Sequence, residues 1–440
     1  MQDVLGCMEN PSPTTALTAN PDTADAALAE VSAPGNMRRM AFLISLGWLG
    51  TNLGLAIPNL PLKFLLKDNL GMSAAAVSLF FAIGEFTNYI KPVAGLLCDS
   101  VPLFGTRRRW YLLLSLLGTG IGWLLMSVVP RGYYSLLITY TLLYWTVVFT
   151  STSLGGVMVE VGMRYRAAGR LTAQRIGMFR LGVLLGGPIA GYLAQRHLFG
   201  LAMGLAALLH LVLVPLFYKY LPEPPTARMN RHVWKEAGAQ FRVLLRSTTL
   251  LSAAGMTFLV AASPGFGTPL LFHQTDTLHF SKQFIGNLAP IGAATGLLGA
   301  GLYYAVCRTL PLRVLLGGSI VVHALGTLFY LRYHTPASAI AITALSGLTV
   351  TLATLPIYDL AIRATPRGCE ALGYSVMMSV WNLTNALSDV SGSWLFNHFR
   401  LTFINLVWLN AGTTALVLIV VPLLPAALMH NRDGVATSSH

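Results

Sequence analysis

A few ionisable side chains stand inside long apolar runs of this chain, and they are the residues with chemistry to offer. Glu85 lies in the run 73–98, followed by Asn88 and Lys91; Gln174, Arg175 and Arg180 lie in 171–195; and 370–397 carries Trp381-Asn382-x-x-Asn385-x-x-Ser388-Asp389. A charge held in hydrocarbon costs several kcal/mol, so such residues tend to survive where function needs them. Glu85 can hold a substrate or a proton, or it can simply be paired with a neighbouring donor. Arg180 is about nine residues into its run, roughly 13 Å at 1.5 Å per residue. That is too deep for easy snorkelling, so its guanidinium needs a carboxylate, from a ligand or from Glu85 or Asp389. Arg175 is shallower, either in the site or at the interface, and Lys91 can stay inside or reach back to the membrane surface. Asn382, Asn385 and Asp389 are spaced i, i+3 and i+7 on one helical face, a stripe that can bind a ligand or glue helices together. We assign substrate binding to Glu85, Asn88, Arg175, Arg180, Asn382 and Asn385, with Trp145 and Trp381 as flat surfaces for stacking. We assign proton coupling to Glu85 and Asp389. Aromatic residues in apolar runs also serve as packing, and His210 and His323 are read as buried and neutral.

The elements that must position these groups follow from composition. Of 440 residues, 54% are apolar and 10% charged, with a mean hydropathy of +0.63, against roughly 25% charged in soluble proteins. So few charges cannot cover a water-soluble surface, and disorder, coiled coil and collagen are excluded as well. The expectation is an all-α membrane protein with twelve transmembrane helices in two six-helix bundles, over 40–62, 73–98, 110–129, 134–158, 171–195, 199–220, 248–272, 282–306, 312–331, 336–362, 370–397 and 402–429. Of the 29 Lys and Arg residues, nineteen fall on the side of the N-terminus, seven on the other side, and three (Lys91, Arg175, Arg180) within spans. That bias places both termini in the cytoplasm of a multi-pass protein of a plasma or inner membrane, and it explains the net charge of +13 without nucleic acid. The four cysteines show no paired spacing.

Five segments result. Residues 1–36, which hold five acids and no Lys or Arg, read as a disordered cytoplasmic tail rather than a signal peptide. An N-terminal bundle takes 37–221. A cytoplasmic linker takes 222–247, in which Trp234, Ala237, Phe241, Leu244 and Leu245 recur at helical spacing among basic residues, as in a helix lying on the bilayer. A C-terminal bundle takes 248–430, and a short tail 431–440. The halves repeat: Pro61-Leu62-x-Phe64-x-x-x-Asp68-x-Leu70-x-x-Ser73 recurs as Pro269-Leu270-x-Phe272-x-x-x-Asp276-x-Leu278-x-x-Ser281, and Ile83-Gly84-x-x-Thr87 as Ile291-Gly292-x-x-Thr295, all at an offset of 208. Glu85 aligns with Ala293, so this acid belongs to one half only. Duplicated six-span halves are a plan of secondary transporters, with the substrate site between them near the midplane.

The loop after the second span reads Lys91-Pro92-x-x-Gly95-Leu96-x-x-Asp99-Ser100-Val101-Pro102-Leu103-Phe104-Gly105-x-Arg107-Arg108-Arg109. It resembles the signature loop of the major facilitator superfamily, lengthened as in the folate–biopterin transporter family. Pro366-Arg367-Gly368-x-Glu370-Ala371, leading into Asn382 and Ser388, and Val159-Glu160, followed by Gly169 and Gln174, are similar to that family too. One stretch departs from it: family members commonly carry an Asp shortly before the position of Glu160, whereas 154–158 here holds no acid. Asp99, Arg107, Arg108, Arg109 and Glu160, with Asp359 and Arg363, are expected to form a cytoplasmic gate of ion pairs. Gly186-Gly187-Pro188-x-x-Gly191 suits close helix packing and a kink.

The resemblance implies a secondary active transporter that moves a small organic anion such as folate or a pterin by alternating access with a coupling proton. No cofactor or metal is expected. No HExxH, GxSxG, Walker loop or Cys–His metal spacing is present, which argues against an enzyme or an ATP-driven pump. The alternatives are an exporter of an unrelated small molecule and a non-transporting membrane scaffold, such as a pigment-assembly factor on the same fold.

Overall fold

In the computed structural model, residues 34–165, 167–221, 232–307, 309–366 and 370–423 are described. Residues 1–33 of the expected N-terminal tail, 222–231 of the expected linker, 424–430 of the expected C-terminal bundle and the expected tail 431–440 lie outside them, as do Arg166, Arg308 and Arg367. The described chain is helical: α1 (Pro34–Phe64), α2 (Ala74–Gly84), α3 (Lys91–Ser100), α4 (Arg109–Val128), α5 (Tyr133–Arg164), α6 (Ala168–Gln195), α7 (Phe199–Tyr220), α8 (His232–Arg246), α9 (Thr248–Ala261), α10 (Gly267–Phe272), α11 (Lys282–Val306), α12 (Leu312–Leu328), α13 (Pro336–Ala364), α14 (Glu370–His398) and α15 (Phe403–Leu416). Eight helices among the described residues are long and apolar enough to cross a membrane by themselves. Hydrocarbon offers no partner to a peptide N–H or C=O, so a spanning segment must satisfy its backbone internally, as a helix does.

Two expected spans are broken rather than continuous. The run 73–98 is interrupted at Glu85 by a 3₁₀ segment, Phe86–Ile90, between α2 and α3. The run 248–272 is interrupted at 262–266, between α9 and α10. Both sequences carry the cause. Gly84 lets Tyr140 of α5 lie where a Cβ would be, 2.3 Å from it, and Ser263-Pro264-Gly265 removes one backbone donor and loosens the chain. The linker helix is found as α8. It meets α9 at a bend of 72°, buries Leu244 and leaves Phe241 and Leu245 exposed.

The repeat read in the sequence is repeated in the backbone. Leu65–Asn69 and His273–Thr277 are both single π-helical turns, 208 residues apart. Ser73 and Ser281 both cap the helix that follows, their hydroxyls accepting from Ala76 and Phe284 N–H. Buried apolar clusters draw on residues 41–221 or on 244–421. One small cluster crosses between them, with Phe64, Ala194 and Leu271. α6 runs against α11 at a glycine contact, as the glycines of α6 foretold. A Cβ on Gly286 would lie 2.6 Å from both the Gly187 carbonyl oxygen and the Gly191 Cα.

At Gly286, then, an added side chain must push two helices apart, an overpacking cost of about 1–3 kcal/mol or more. Gly286→Val is expected to lower the thermal midpoint of the detergent-purified protein. Gly301→Ala, where a Cβ meets open space, is expected to leave it unchanged.

Candidate functional site

Glu85 ends α2 and half-buried faces the interior, where the hydroxyl of Tyr140 on α5 donates to its Oε1 at 3.0 Å. Tyr144, one turn further along α5, is also within hydrogen-bond reach of both groups. The break at Glu85 therefore puts the carboxylate among hydroxyl donors rather than beside a cation. Asn88 follows on the 3₁₀ turn. Across from it, α14 presents Trp381, Asn382, Asn385 and Asp389. These two faces, with Ser78, Phe81, Ala82, Tyr89 and Ala386, line a cavity of about 230 Å³. Six of the predicted site residues thus meet in one place.

Within this cavity Asp389 is engaged. Its Oδ1 accepts from the backbone N–H of Thr268 at 2.8 Å and its Oδ2 from the Thr268 hydroxyl at 2.6 Å, at the free N-terminus of α10. The rest of the break is satisfied from α14 and α15. Ser388 donates to the Ser263 carbonyl, Gly265 N–H donates to the Ser388 carbonyl at 2.8 Å, and Asn410 of α15 donates to the Pro264 carbonyl at 3.0 Å. Gly392 admits this approach: a Cβ there would collide with the Gly265 carbonyl.

Arg180 does not pair with Glu85 or Asp389. Its Nη2 donates to Thr351 of α13 at 3.3 Å, and its guanidinium fills the space a Cβ on Gly296 of α11 would take. Arg175 lies over the Trp48 ring of α1, 4.5 Å from the centroid. Trp145 is outside the cavity, 40% exposed and edge-on to Phe86, so it packs against the broken turn and is not among the cavity's lining residues.

The expected gate residues form two separate clusters. Arg108 reaches Glu160 at 2.7 Å and the Gly156 carbonyl at 2.6 Å, and the absence of a side chain on Gly156 makes room for it. Arg109 donates to the Tyr218 carbonyl of α7. The loop turns sharply at Phe104 and Gly105, both at positive φ, which is the need that the glycine meets. Asp359 and Arg363 form a bidentate pair within α13, with Tyr303 of α11 donating to Asp359. The side chain of Asp99 lies outside those described.

One cluster was missed in the sequence. At the opposite end of the molecule Lys67 pairs with Asp276 and stacks on Phe272, 4.9 Å from its centroid. Lys282 pairs with Asp68 at 2.6 Å and stacks on Phe64 at 4.6 Å. Phe64/Asp68 and Phe272/Asp276 are repeat counterparts, so each repeat's Phe-Asp pair is gripped by a lysine of the other. The register of the two aspartates was the available signal.

This architecture is found in known transporters. A POT family transporter in complex with 5-aminolevulinic acid superposes with a TM-score of 0.70 at 14% identity, over 87% of this chain and 95% of that one. A D-xylose–proton symporter gives 0.66 at 15%, over 88% and 98%. At such identities the likeness concerns the fold alone. The chain matches the BT1 family over residues 52–436 and belongs to it. It is 31% identical to the folate-biopterin transporter of Synechocystis sp. over 86% of this chain and 80% of that protein. It is 23% identical to folate transporter 1 of Plasmodium falciparum over 79% and 71%. The protein is therefore a multi-pass membrane transporter that handles a small molecule, not an enzyme.

Asp389 leaves a direct test. Asp389→Ala strips the α10 N-terminus of both acceptors, a cost of about 1–3 kcal/mol for the unsatisfied buried donor. A drop in the thermal midpoint is expected, whereas Thr268→Ser, which keeps the hydroxyl, is expected to melt close to the original protein.

Proposed function

We propose that the protein is a proton-coupled secondary transporter of a small organic anion of the folate or pterin class, working by alternating access between two six-span halves with both termini in the cytoplasm. The reading counts α2 with α3, and α9 with α10, as one broken span each, and α15 with the turns that follow it as the last. It rests above all on the cavity where Glu85 of the first repeat faces the Asn382, Asn385 and Asp389 stripe of the second. The names of the relatives support the substrate class.

In this reading Glu85 carries the coupling proton. Its neighbours Tyr140 and Tyr144 donate to the carboxylate and can turn to accept from the protonated acid, so both states find partners. Asp389, with both oxygens bonded to α10, couples the same cavity to the break in the seventh span. The Lys67–Asp276 and Lys282–Asp68 pairs close the outer end, and Arg108–Glu160 and Asp359–Arg363 steady the inner loops. Exposed pairs are worth under about 1 kcal/mol each and a cation over a ring about 0.5–1 kcal/mol, so this closure is strong enough to bias the cycle and weak enough to open.

Glu85→Gln removes the titrating group and keeps a hydrogen-bonding side chain. Loss of stimulation by an inward proton gradient is expected, with substrate exchange across proteoliposomes retained. Proton-driven uptake equal to that of the original protein would exclude Glu85 as the coupling group. For the outer closure, Lys67→Ala with Lys282→Ala is expected to raise labelling of Ala194→Cys, a buried position in the cluster that joins the halves, by a membrane-impermeant thiol reagent about tenfold, the change a shift of ~1.4 kcal/mol produces.

A further inference from the structure

The proposed site has a second, cationic end. Lys91 of α3 and Arg175 and Arg180 of α6 have no carboxylate partner among the described residues. Arg175 is within electrostatic reach of Lys91, and of Tyr374 on α14 and Tyr358 on α13. Tyr358 is shared, lying within reach of both Arg175 and Arg180. These groups come from elements of both repeats, so they face a common interior rather than lipid. Two like charges close together repel, and more strongly away from bulk water. Among the described residues no carboxylate offsets this.

Geometry ties this end to the cavity already described. Tyr358 meets Trp381 edge to face, centroids 5.9 Å apart, and Trp381 lines the cavity with Glu85 and Asn382. An acid-and-amide end thus passes through an aromatic pair to a cationic end. The cavity, about 230 Å³, is below the range of roughly 300–1,000 Å³ usual for whole drug-sized ligands. It accommodates a bicyclic ring but not a ring with a long tail, and the remainder of such a ligand has to extend toward the cations.

We propose that Lys91, Arg175 and Arg180 form a subsite for a substrate tail carrying two carboxylates, so that the protein selects tailed, dianionic folates over tail-less pterins. The inference rests on the transport reading above and narrows it. A guanidinium can clamp a carboxylate with two parallel N–H donors, and two anionic groups offset two of the three cations where a single one offsets only one. A neutral pterin would fill only the Glu85 end.

The test compares uptake of folate and biopterin by the full-length protein in proteoliposomes. The original protein is expected to favour folate at least tenfold in kcat/KM. Lys91→Gln and Arg175→Gln are each expected to reduce that preference at least tenfold, and Arg175→Lys less so; losses equal for the two compounds, or an original protein without preference, would overturn the proposal. Thermal melting of each variant separates misfolding from lost recognition. If neither compound is taken up, the transport reading fails, and titration calorimetry on purified protein decides the subsite alone. p-Aminobenzoylglutamate, with two carboxylates, is expected to bind at least tenfold more tightly than p-aminobenzoylalanine, with one, and to lose that advantage in Arg175→Gln. Equal binding of the two would refute the subsite.

Discussion

A hydrocarbon surrounding satisfies no polar group, and the structure is arranged around that constraint. Continuous helices meet it by closing their own backbone bonds. The two interrupted segments cannot, and the chain provides for each differently. At Glu85 the 3₁₀ turn keeps the backbone bonded to itself. At 262–266 the broken backbone is bonded by Ser388, Asp389 and Asn410. Irregular backbone at membrane depth is tolerated where protein or a water-lined cavity receives it; the first break lines the cavity between α2 and α14, and α10, just after the second, is bonded to Asp389 on the cavity wall. The cavity and the interruptions are therefore linked: each break bears on a residue that lines it, Glu85 or Asp389.

Much of this was legible in the sequence, for identifiable reasons. Glu85, Asn88, Trp381, Asn382, Asn385 and Asp389 declared themselves because polar groups in apolar runs are costly, and all six line one cavity. The repeat was legible because its polar members kept register, and the paired π turns carry the same offset. Helix breaks were not, since a Gly or Pro in an apolar run is tolerated as often as it interrupts. The contact of Arg180 with Thr351 was not foreseen, because a threonine gives no sign of itself in one dimension. Trp145 looked like a ligand wall because a sequence does not say which side of α5 faces the interior.

The repeat also shows where symmetry was kept and where it was lost. At the ion-paired end it persists to the level of side chains, each Phe-Asp couple held by the opposite repeat's lysine. In the interior it is gone: Glu85 corresponds to Ala293, and α11 runs unbroken past the point where α2 stops. A contact that only has to close can be the same from both sides. A site that binds an unsymmetrical solute gains by differing between them.

The repair of the break at 262–266 has a consequence for biogenesis. Its partners follow far behind in the chain, Ser388 by 125 residues and Asn410 by 146. At a synthesis rate of about 5–20 residues per second, they leave the ribosome roughly 6–30 s later. For that interval the carbonyls of Ser263 and Pro264 lack their permanent hydrogen-bond donors, and the nascent segment cannot rest in lipid in its final form. It must wait beside the insertion machinery, or enter as a straight helix that is bent only when the last two helices arrive.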